Sequence, residues 1–367
     1  MELSIEQQLA AYTDDNKVLV AAAGGAGKTA TLVERVNYLL SKDTYVPGTL
    51  FCITYTNMAA EEMKIRLGEK VENCFIGTIH GLANKILTGN GYDTTSIIEN
   101  ENFDCFFEII NDNLDTFIMP EVEYLLVDEF QDICNNEYDF IMNILHPKNF
   151  WAVGDSRQAI YGFKGGNYEH FMNLINDPFT TTYNLSTCYR CGPEVIDFAN
   201  HQIRGCTDIY KTPVVCPHNY GYSLVEEDDF SYAAVLSAIE DMGNYAETAV
   251  LCRSNQMVDD ILFFLKRNNI PAVTFKKADK TFNELQEELK SNSVKVLTVH
   301  SAKGLEWRNV IVCQEVQPWN AEEKRINYVA ATRAKQYLLW LKPIRKRKTQ
   351  RNVGYKQQYM ESQMQEW

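Results

Sequence analysis

Near the amino terminus, an apolar segment of the chain leads directly into a glycine-rich loop. Residues 17–22 form a short apolar run, and residues 22–29 read Ala-Ala-Gly-Gly-Ala-Gly-Lys-Thr. Beyond the loop, Leu32, Val36 and Leu39 recur at the spacing of one helical face. The pattern therefore predicts a strand, a tight loop and a helix in direct succession.

The loop has the residue types of a phosphate-binding loop (P-loop). Glycine lets backbone N–H groups curl around a phosphate, and the start of a helix adds a favourable dipole. Lys28 would neutralise the terminal phosphates of a nucleotide, and the Thr29 hydroxyl would bind Mg²⁺. The strict pattern has glycine where Ala22 stands, and the alternative is a chance glycine-rich turn. The residues expected to surround the nucleotide are Ala23, Gly24, Gly25, Ala26, Gly27, Lys28, Thr29 and Ala30.

Further apolar runs of strand length follow, and they alternate with helical patterns such as residues 257–267. Strands that are apolar on both faces and alternate with helices are typical of parallel sheets covered by helices on each side. The runs suffice for two such sheets, with a boundary near residues 177–184. We therefore expect an α/β protein of two domains. The runs are residues 50–53, 124–127, 150–153, 248–252, 294–298 and 309–312.

The run at residues 124–127 ends in two carboxylates. Asp128 can hold Mg²⁺, and Glu129 can orient or deprotonate a water molecule. An isolated Asp-Glu pair is more often a solvated strand end, but beside a P-loop the catalytic interpretation is the better one. Because hydrolysis uses water and not a substrate hydroxyl, the pair indicates a nucleoside triphosphatase rather than a kinase.

The charge of the chain is unevenly distributed. The net charge of −14 argues against a nucleic-acid partner, because phosphate is repelled by a negative surface. Residues 342–356, however, are rich in lysine and arginine and contain no acidic residue, whereas acidic residues concentrate at 226–229 and 284–288. A local path on the surface could therefore still attract phosphate.

The composition indicates a soluble protein of the cytoplasm with no membrane partner. No apolar run is long enough to span a bilayer, and the acidic, polar amino terminus is unlike a secretory signal. The ten cysteines are best interpreted as reduced and mostly buried thiols. Cys188 and Cys191 form a C-x-x-C motif that could bind a metal, although a second closely spaced pair is missing.

Together, the motifs resemble those of the UvrD/Rep/PcrA helicases of superfamily 1. Residues 127–132, Val-Asp-Glu-Phe-Gln-Asp, resemble the Walker B motif of that family. The other family motifs follow in family order, and the resemblance runs from about Leu3 to Trp340. They lie at Gln7, residues 54–60, 77–81, 153–165, 189–190, 298–306 and 328–334.

The resemblance implies two RecA-like P-loop NTPase domains with ATP and Mg²⁺ in the cleft between them. The expected domains are residues 1–183, with a short insertion at about 85–123, and residues 184–341, followed by a basic tail or hairpin at 342–367. By this resemblance, Gln7 and Tyr189 contact the adenine and Glu306 contacts the ribose. Gly304 lies in the nucleotide cleft. The implied catalytic residues are Lys28, Glu129, Gln158, Arg190 and Arg333, and the implied magnesium ligands are Thr29 and Asp128.

The resemblance also implies a single-stranded nucleic-acid track across both domains. Aromatic stacking suits such a track, because every base has a π-face. Phe163 replaces a tryptophan that is usual in relatives, and a lone aromatic or histidine would otherwise be a structural residue. The implied contacts are Tyr55, Thr56, Asn57, His80, Tyr161, Phe163, Lys164 and His300.

The chain departs from the family pattern in three places. Ala30 stands where relatives carry an arginine against the adenine. Residues 85–123 and 276–293 are much shorter than the accessory domains that relatives insert there. The tail at 342–356 could be a duplex-wedging pin, a phosphate-binding arm or a solvated tail. A chain without accessory domains should move along single strands, but the resemblance does not establish that it separates the strands of a duplex.

Two functions agree with these motifs. The first is an ATP-dependent 3′→5′ single-stranded DNA translocase or helicase, which would also meet duplex junctions. The second is a nucleotide-dependent sensor or regulatory subunit of a nuclease-containing, phage-defence-like complex, with a protein partner such as the nuclease. ATPase activity that needs only single strands favours the first, and activity that needs another protein favours the second.

Overall fold

The structure of the protein is a computed structural model that describes residues 3–210, 214–216, 223–275 and 281–343. The predicted basic tail, residues 342–367, lies outside the described residues from 344 onward. The described strands form two sheets of six strands, and every pairing is parallel. The predicted α/β fold with two parallel sheets is therefore confirmed.

The first sheet is built from the amino-terminal half of the chain. Its strands are β1 Lys17–Ala22, β2 Leu50–Ile53, β3 Phe75–Gly77, β4 Tyr124–Val127, β5 Asn149–Gly154 and β6 Thr181–Leu185. They lie in the order β3-β2-β4-β5-β1-β6, so β1 lies inside the sheet between β5 and β6. Strand β6 pairs with β1 as far as Leu185, which faces Ala22. The predicted boundary after residue 183 therefore falls within β6.

The second sheet follows the same plan. Its strands are β7 Leu224–Asp229, β8 Thr248–Cys252, β9 Ala272–Val273, β10 Val294–Thr298, β11 Trp307–Cys313 and β12 Ala334–Lys342. They lie in the order β7-β12-β11-β8-β10-β9, which brings the carboxyl ends of β11, β8 and β10 side by side. The acidic run at residues 226–229 belongs to the edge strand β7, where its side chains are exposed.

Each sheet buries side chains on both faces. In β1, Leu19 packs into one hydrophobic cluster of the first domain and Val20 into the other, and both are fully buried. In β8, Leu251 and Val250 divide in the same way between the two clusters of the second domain. Full burial of one such side chain stabilises the fold by about 1.5–3 kcal/mol. This double burial explains why the strands read as continuous apolar runs.

Helices cover the faces of both sheets. The first domain contains α1 Ile5–Tyr12, α2 Lys28–Leu40, α3 Asn57–Leu67, α4 Ile79–Gly89, α5 Thr95–Glu99, α6 Cys105–Asp112, α7 Asn135–Asp139 and α8 Glu169–Asn176. The second contains α9 Pro193–Gln202, α10 Tyr232–Met242, α11 Asn255–Arg267, α12 Phe282–Lys290, α13 Val299–Ala302 and α14 Ala321–Ala331. Among the described residues, no helix is both long and apolar enough to cross a membrane.

Three helices that follow sheet strands start at a threonine of a family-like motif. Thr56 accepts a hydrogen bond from the Ala59 amide, and Thr78 accepts one from Gly81. Thr298 does the same for Ser301 at the start of α13. A capping threonine satisfies one of the free N–H groups of the first helical turn and fixes where the helix begins. These motifs therefore define helix starts at the carboxyl edges of the sheets.

The segment predicted as a short insertion, residues 85–123, folds back onto the first domain. Helix α4 continues through its start as far as Gly89, and the short helices α5 and α6 follow. Phe106, Phe107 and Ile110 of α6 are buried in the cluster that contains Leu19. Most of the buried side chains in this segment therefore complete the core of the domain.

The two domains share a buried contact. Ile160, in the loop after β5, is fully buried and packs into the hydrophobic cluster of the second domain that contains Leu251. Arg325 of α14 donates a hydrogen bond of 2.8 Å to the carbonyl oxygen of Ala159 in the same loop. The second domain therefore holds this loop of the first domain by both apolar packing and a hydrogen bond.

Candidate functional site

The P-loop connects β1 to α2, and its shape depends on two glycines. Gly25 and Gly27 have φ angles of +77° and +80°, a left-handed conformation that favours glycine. A Cβ atom on Gly27 would lie 2.4 Å from Nε2 of Gln7, and one on Gly25 would lie 2.6 Å from Cβ of Arg190. Larger residues are therefore excluded here by both conformation and space. Helix α2 begins directly at Lys28, so its amino terminus faces the loop.

A cavity of about 500 Å³ lies between the P-loop and the second domain. It contains residues of both domains, and most of the predicted nucleotide-contacting residues line it. Arg66 of α3 and Lys335 of β12 also line it and were missing from the sequence prediction. The other lining residues are Gly25, Ala26, Gly27, Lys28, Thr29, Ala30, Glu129, Gln158, Tyr189, Arg190, Gly304, Glu306 and Arg333.

Gln7 lies beside the P-loop and outside the described lining of the cavity. Its side-chain Nε2 donates a 3.0 Å hydrogen bond to the carbonyl oxygen of Ala26, and its Oε1 accepts one from the Ser4 amide. Both ends of the amide are thus engaged by the protein. Gln7 supports the loop in this structure, and an adenine contact would require its amide to exchange a partner.

Glu129 is held by two side chains at the end of β4. Lys28 Nζ lies 3.0 Å from its Oε2, and Gln131 Nε2 donates to the same oxygen at 2.6 Å. Burial alone would raise the pKa of Glu129, but the ammonium groups of Lys28 and Lys303 outweigh it and hold the pKa below the ordinary value. Glu129 is therefore ionised at neutral pH, as a carboxylate that accepts a proton from water must be.

Asp128 has the opposite tendency. Burial and the adjacent Glu129 carboxylate raise the pKa of Asp128 to about 7. A divalent cation beside it would relieve both effects, and a carboxylate with a hydroxyl such as that of Thr29 is an oxygen donor set that suits Mg²⁺. In the described chain no group of three or more His, Cys, Asp or Glu could hold a metal alone. Magnesium would therefore need phosphate oxygens or water as additional ligands.

Two arginines reach the cavity from the second domain. Arg190 forms an ion pair with Glu306, which also lies 2.9 Å from Nζ of Lys335. Arg333 is buried and donates to the carbonyl oxygens of Val329 and Leu305 at 3.0 and 3.2 Å. Burial and the nearby Arg190 lower the pKa of Arg333 to about 10. Two adjacent guanidinium groups that remain charged at neutral pH favour an anion between the domains.

Gln158 connects the two sides of the cavity. Its Nε2 donates to Asp155 at 2.8 Å, and its Oε1 accepts from Arg333 at 3.5 Å. The same Asp155 carboxylate binds the buried Arg157 at 2.7 Å. The Gln158 amide is therefore oriented by its own domain toward an arginine of the other.

The predicted aromatic residues of the track lie together. The rings of Tyr55 and Tyr161 are stacked with centroids 4.9 Å apart, and the Phe163 ring is 6.1 Å from that of Tyr161. Phe163 is 66% exposed, and Lys164 lies over both Tyr161 and Phe163. His300 of the second domain meets the Phe163 ring edge-on at 5.2 Å. The cluster therefore crosses the boundary between the domains.

His300 is an uncharged residue in this setting. Its Nε2 lies 3.2 Å from the carbonyl oxygen of Ile160. Burial and the positive charge of Arg253 lower the pKa of His300 to about 4. A contact with nucleic acid through His300 would therefore use hydrogen bonding or stacking and not charge.

The remaining predicted track residues are Thr56, Asn57 and His80. His80 packs against Phe103 and Phe107 and lies 3.8 Å from a Glu137 oxygen. It lines a second cavity of about 820 Å³ together with Tyr55, Thr56 and Lys164. Asn57, the first residue of α3, is exposed and lies outside the described lining of that cavity.

The sequence prediction missed Lys303 as a site residue. This buried lysine of the second domain pairs with Asp132 of the first and donates to the carbonyl oxygen of Gln158 at 2.7 Å. Its Nζ lies 4.9 Å from the centroid of the Tyr161 ring. Burial raises the pKa of Asp132 to about 6 although Lys303 opposes this. The available signal was its place between His300 and Gly304 in the motif at residues 298–306.

Comparisons with known proteins agree with these motifs. A family model described as the UvrD/REP helicase N-terminal domain matches residues 3–116 and 103–178. A second, described as the UvrD-like helicase C-terminal domain, matches residues 280–342. The chain is 26% identical to a probable DNA helicase of Mycoplasma pneumoniae, over 92% of this chain and 83% of the relative.

Other relatives are longer than this chain. The identity is 22% to the ATP-dependent DNA helicase PcrA of Staphylococcus epidermidis and 23% to that of Staphylococcus aureus. Each match covers 73% of this chain and 50% of the relative. The chain thus spans about half the length of the PcrA proteins it matches.

Proposed function

The chain belongs to the UvrD/REP helicase family, and we propose that it is an ATP hydrolase that moves along single-stranded DNA in the 3′→5′ direction. The observation that carries the proposal is the cavity between the domains, where Lys28 and Glu129 face Arg190 and Arg333. Arginines supplied across a cleft stabilise the charge of phosphoryl transfer only when the cleft is closed. Hydrolysis would thereby be coupled to domain motion.

The resting contacts define what a nucleotide has to displace. Its terminal phosphates would take Lys28 from Glu129, and Glu129 would then be free to orient the attacking water. A phosphate would also compete with Glu306 for Arg190. Mg²⁺ held by Thr29 and Asp128 would neutralise phosphate charge in this site. Gln158 belongs to the first domain and is oriented by Asp155, and its amide would contact the γ-phosphate.

A chain of contacts connects the proposed ATP site with the proposed DNA track. Glu129 accepts a hydrogen bond from Gln131, whose Nε2 also donates to Asp132 at 3.1 Å. Asp132 pairs with Lys303, which lies over the ring of Tyr161. Displacement of Lys28 by a nucleotide would change the charge at the first member of this series. We therefore infer that the occupancy of the ATP site biases the position of Tyr161.

The direct test is ATP hydrolysis by the purified chain with and without single-stranded DNA, with Lys28→Ala as the control. Strong stimulation by DNA that is lost in the control is the expected result. Absence of stimulation in a folded chain that binds ATP would overturn the proposal of a self-sufficient motor. Direction is measured by displacement of streptavidin from biotin placed at either end of the single strand, with displacement from the 5′ end expected.

A second candidate is a nucleotide-dependent subunit that requires a protein partner such as a nuclease. The specific observation in its favour is the compact segment at residues 85–123, where buried helices complete the domain core. The exposed acidic edge strand β7 also favours a protein partner over a phosphate backbone. ATP turnover that appears only with a co-purified partner, and not with DNA, would support this alternative.

A further inference from the structure

Two cysteines bracket the residue pair Tyr189-Arg190 in the nucleotide cleft. Cys188 and Cys191 both carry thiols that are fully buried. The Cys191 amide donates a 3.4 Å hydrogen bond to Sγ of Cys188, so the intervening residues form a tight loop. Formation of a bond between the two sulfur atoms would therefore tighten the loop that carries Tyr189 and Arg190.

The dithiol also contacts the machinery on both sides of the cleft. A Cβ atom at Gly25 would lie 3.0 Å from Sγ of Cys188, and the Tyr189 amide donates to the Gly25 carbonyl oxygen at 2.9 Å. Sγ of Cys191 lies 3.5 Å from the carbonyl oxygen of Thr332. Thr332 directly precedes Arg333. The two sulfur atoms thus lie where the P-loop meets both cleft arginines.

The two thiols differ in acidity. A hydrogen bond from Cys191, amide donors and the Arg190 charge lower the pKa of Cys188 to about 6, although burial opposes this. The same hydrogen bond and burial raise the pKa of Cys191 well above its ordinary value. Cys188 is therefore the nucleophile at neutral pH, and Cys191 is the thiol that keeps its proton.

We propose that Cys188 and Cys191 are an oxidation site, at which a hydroperoxide forms a disulfide that displaces Arg190 and stops ATP hydrolysis. The site itself follows from the contacts of the two thiols, and its effect on hydrolysis rests on the function proposed above. Because the P-loop covers Cys188, separation of the two domains exposes the sulfur atom. Nucleotide binding, which closes the cleft, therefore protects it.

The reaction balances with the hydroperoxide as the only oxidant. The Cys188 thiolate attacks the protonated peroxide oxygen, the O–O bond breaks, and the sulfur atom becomes a sulfenic acid. The leaving group is hydroxide for hydrogen peroxide and an alkoxide for an organic hydroperoxide. The Cys191 thiol then attacks that sulfur atom. The S–S bond forms, the S–O bond breaks, and the oxygen leaves as water with the proton of Cys191. Two electrons pass from the sulfur atoms to the peroxide.

The first experiment is treatment of the full chain with hydrogen peroxide, followed by mass spectrometric mapping of disulfides. The expected product is a Cys188–Cys191 disulfide that forms more slowly with a non-hydrolysable ATP analogue and is reversed by dithiothreitol. Cys191→Ser should instead stop at a sulfenic acid on Cys188, trapped by dimedone. A disulfide from Cys188 to Cys216, whose Sγ lies 3.7 Å from the Cys191 carbonyl oxygen, would overturn the proposal.

The second experiment measures DNA-stimulated ATP turnover before and after oxidation. We expect a fall of about a hundredfold, restored by reduction, because an arginine supplied to a transferred phosphoryl group contributes at least that factor. Cys191→Ser, which cannot form the disulfide, should show a smaller fall in turnover after the same oxidation. Full ATP turnover by protein that contains the mapped disulfide would overturn the regulatory role. If the chain hydrolyses no ATP at all, the proposed function is wrong. The oxidation site is then still tested by the mapped disulfide and by its slower formation in the presence of nucleotide.

Discussion

At the scale of single residues, Glu129 combines two uncommon properties. Its φ angle is +50°, a region that non-glycine residues seldom occupy, and its carboxylate is shared between Lys28 and Gln131. Such backbone conformations cost about 1–3 kcal/mol and persist where the surroundings fix them. We interpret both properties as the positioning of one carboxylate for water.

Replacement of Glu129 by Gln tests this interpretation. We expect ATP turnover to fall by about two to four orders of magnitude, because the amide cannot accept a proton from water. ATP binding should be retained, and DNA binding should tighten. The measurements are steady-state hydrolysis and nucleotide binding by fluorescence. The matched control is Glu34→Gln, at a surface carboxylate that accepts a hydrogen bond from Tyr12. Retained hydrolysis in Glu129→Gln would show that Glu129 has no catalytic role.

His300 gives a prediction for the pH dependence of stability. Its pKa is lowered from 6.5 to about 4, so below pH 6.5 the unfolded chain takes up a proton that the folded chain does not. The contribution of uncharged His300 to the free energy of unfolding is therefore lost as the pH falls from about 6.5 to 4. Half-buried as it is, His300 should contribute about 2 kcal/mol to this loss.

The measurement is urea unfolding of the chain and of His300→Gln between pH 7 and pH 4.5. The variant, which keeps a side-chain donor for the Ile160 carbonyl oxygen, should lose less stability over this interval than the parent chain. His146→Gln, at an exposed histidine, should behave as the parent. Equal losses in all three proteins would show that His300 titrates normally.

Some residues of the candidate site could be predicted from the sequence, and others could not. The P-loop and the arginines of the second domain were recognisable because their residue types occur at fixed spacing in motifs. Lys303 was missed because a lysine beside a glycine reads as a solvated charge, and only the packing of the other domain buries it. Gln7 was found in its motif, but its hydrogen bond to Ala26 depends on a fold that spacing does not show.

At the scale of elements, the loop after β5 is the one that joins the two proposed functions. It contains the short helical turn Gly162–Lys164, which presents Phe163 outward, and it carries Tyr161 against Tyr55. The Gly162 amide donates a 2.9 Å hydrogen bond to Glu322 of the second domain. The loop is therefore positioned by contacts with both domains.

Replacement of both Tyr161 and Phe163 by Ala tests the role of this element. We expect DNA stimulation of ATP hydrolysis to be lost while basal hydrolysis remains, because stacking on one base contributes about 1–3 kcal/mol. The measurement is turnover as a function of DNA concentration. Phe179→Ala, at a phenylalanine that is 85% exposed in the same domain, is the control. Unchanged stimulation in the double variant would place the track elsewhere.

The sequence predicted elements best where both faces are buried. The runs at 50–53, 124–127, 248–252 and 294–298 coincide with strands β2, β4, β8 and β10. It missed two edge strands: β3 is only three residues long, and β7 is mostly acidic. An edge strand is half solvated, so its sequence need not be apolar, and charge there prevents unwanted strand pairing.

At the scale of the whole molecule, the ion pair between Lys303 and Asp132 crosses the domain boundary. Replacement of Lys303 by Met leaves Asp132 buried without a cation, at a cost of about 3–5 kcal/mol. We expect lower stability together with weakened DNA stimulation. The double variant Lys303→Met/Asp132→Asn should regain stability but not stimulation, since the link to Tyr161 is still absent.

The measurements for this pair are chemical unfolding and the ratio of turnover with DNA to turnover without it. Lys148→Met removes a cation from an exposed ion pair with Glu121 and Glu123, and it should change neither quantity appreciably. Recovery of DNA stimulation in the double variant would show that the pair contributes stability alone. This arrangement of domains could not be predicted from sequence spacing, because each partner lies in a different domain.

The burial of Ile160 in the second domain has a thermal consequence. Opening of the cleft would bring this side chain, with part of its apolar surroundings, into contact with water. Exposure of apolar surface increases the heat capacity, and the attraction that opposes opening weakens on cooling. Where opening limits the cycle, the Arrhenius plot of turnover should therefore be curved rather than straight. The temperature at which the protein works would then help to set how tightly its two halves hold together.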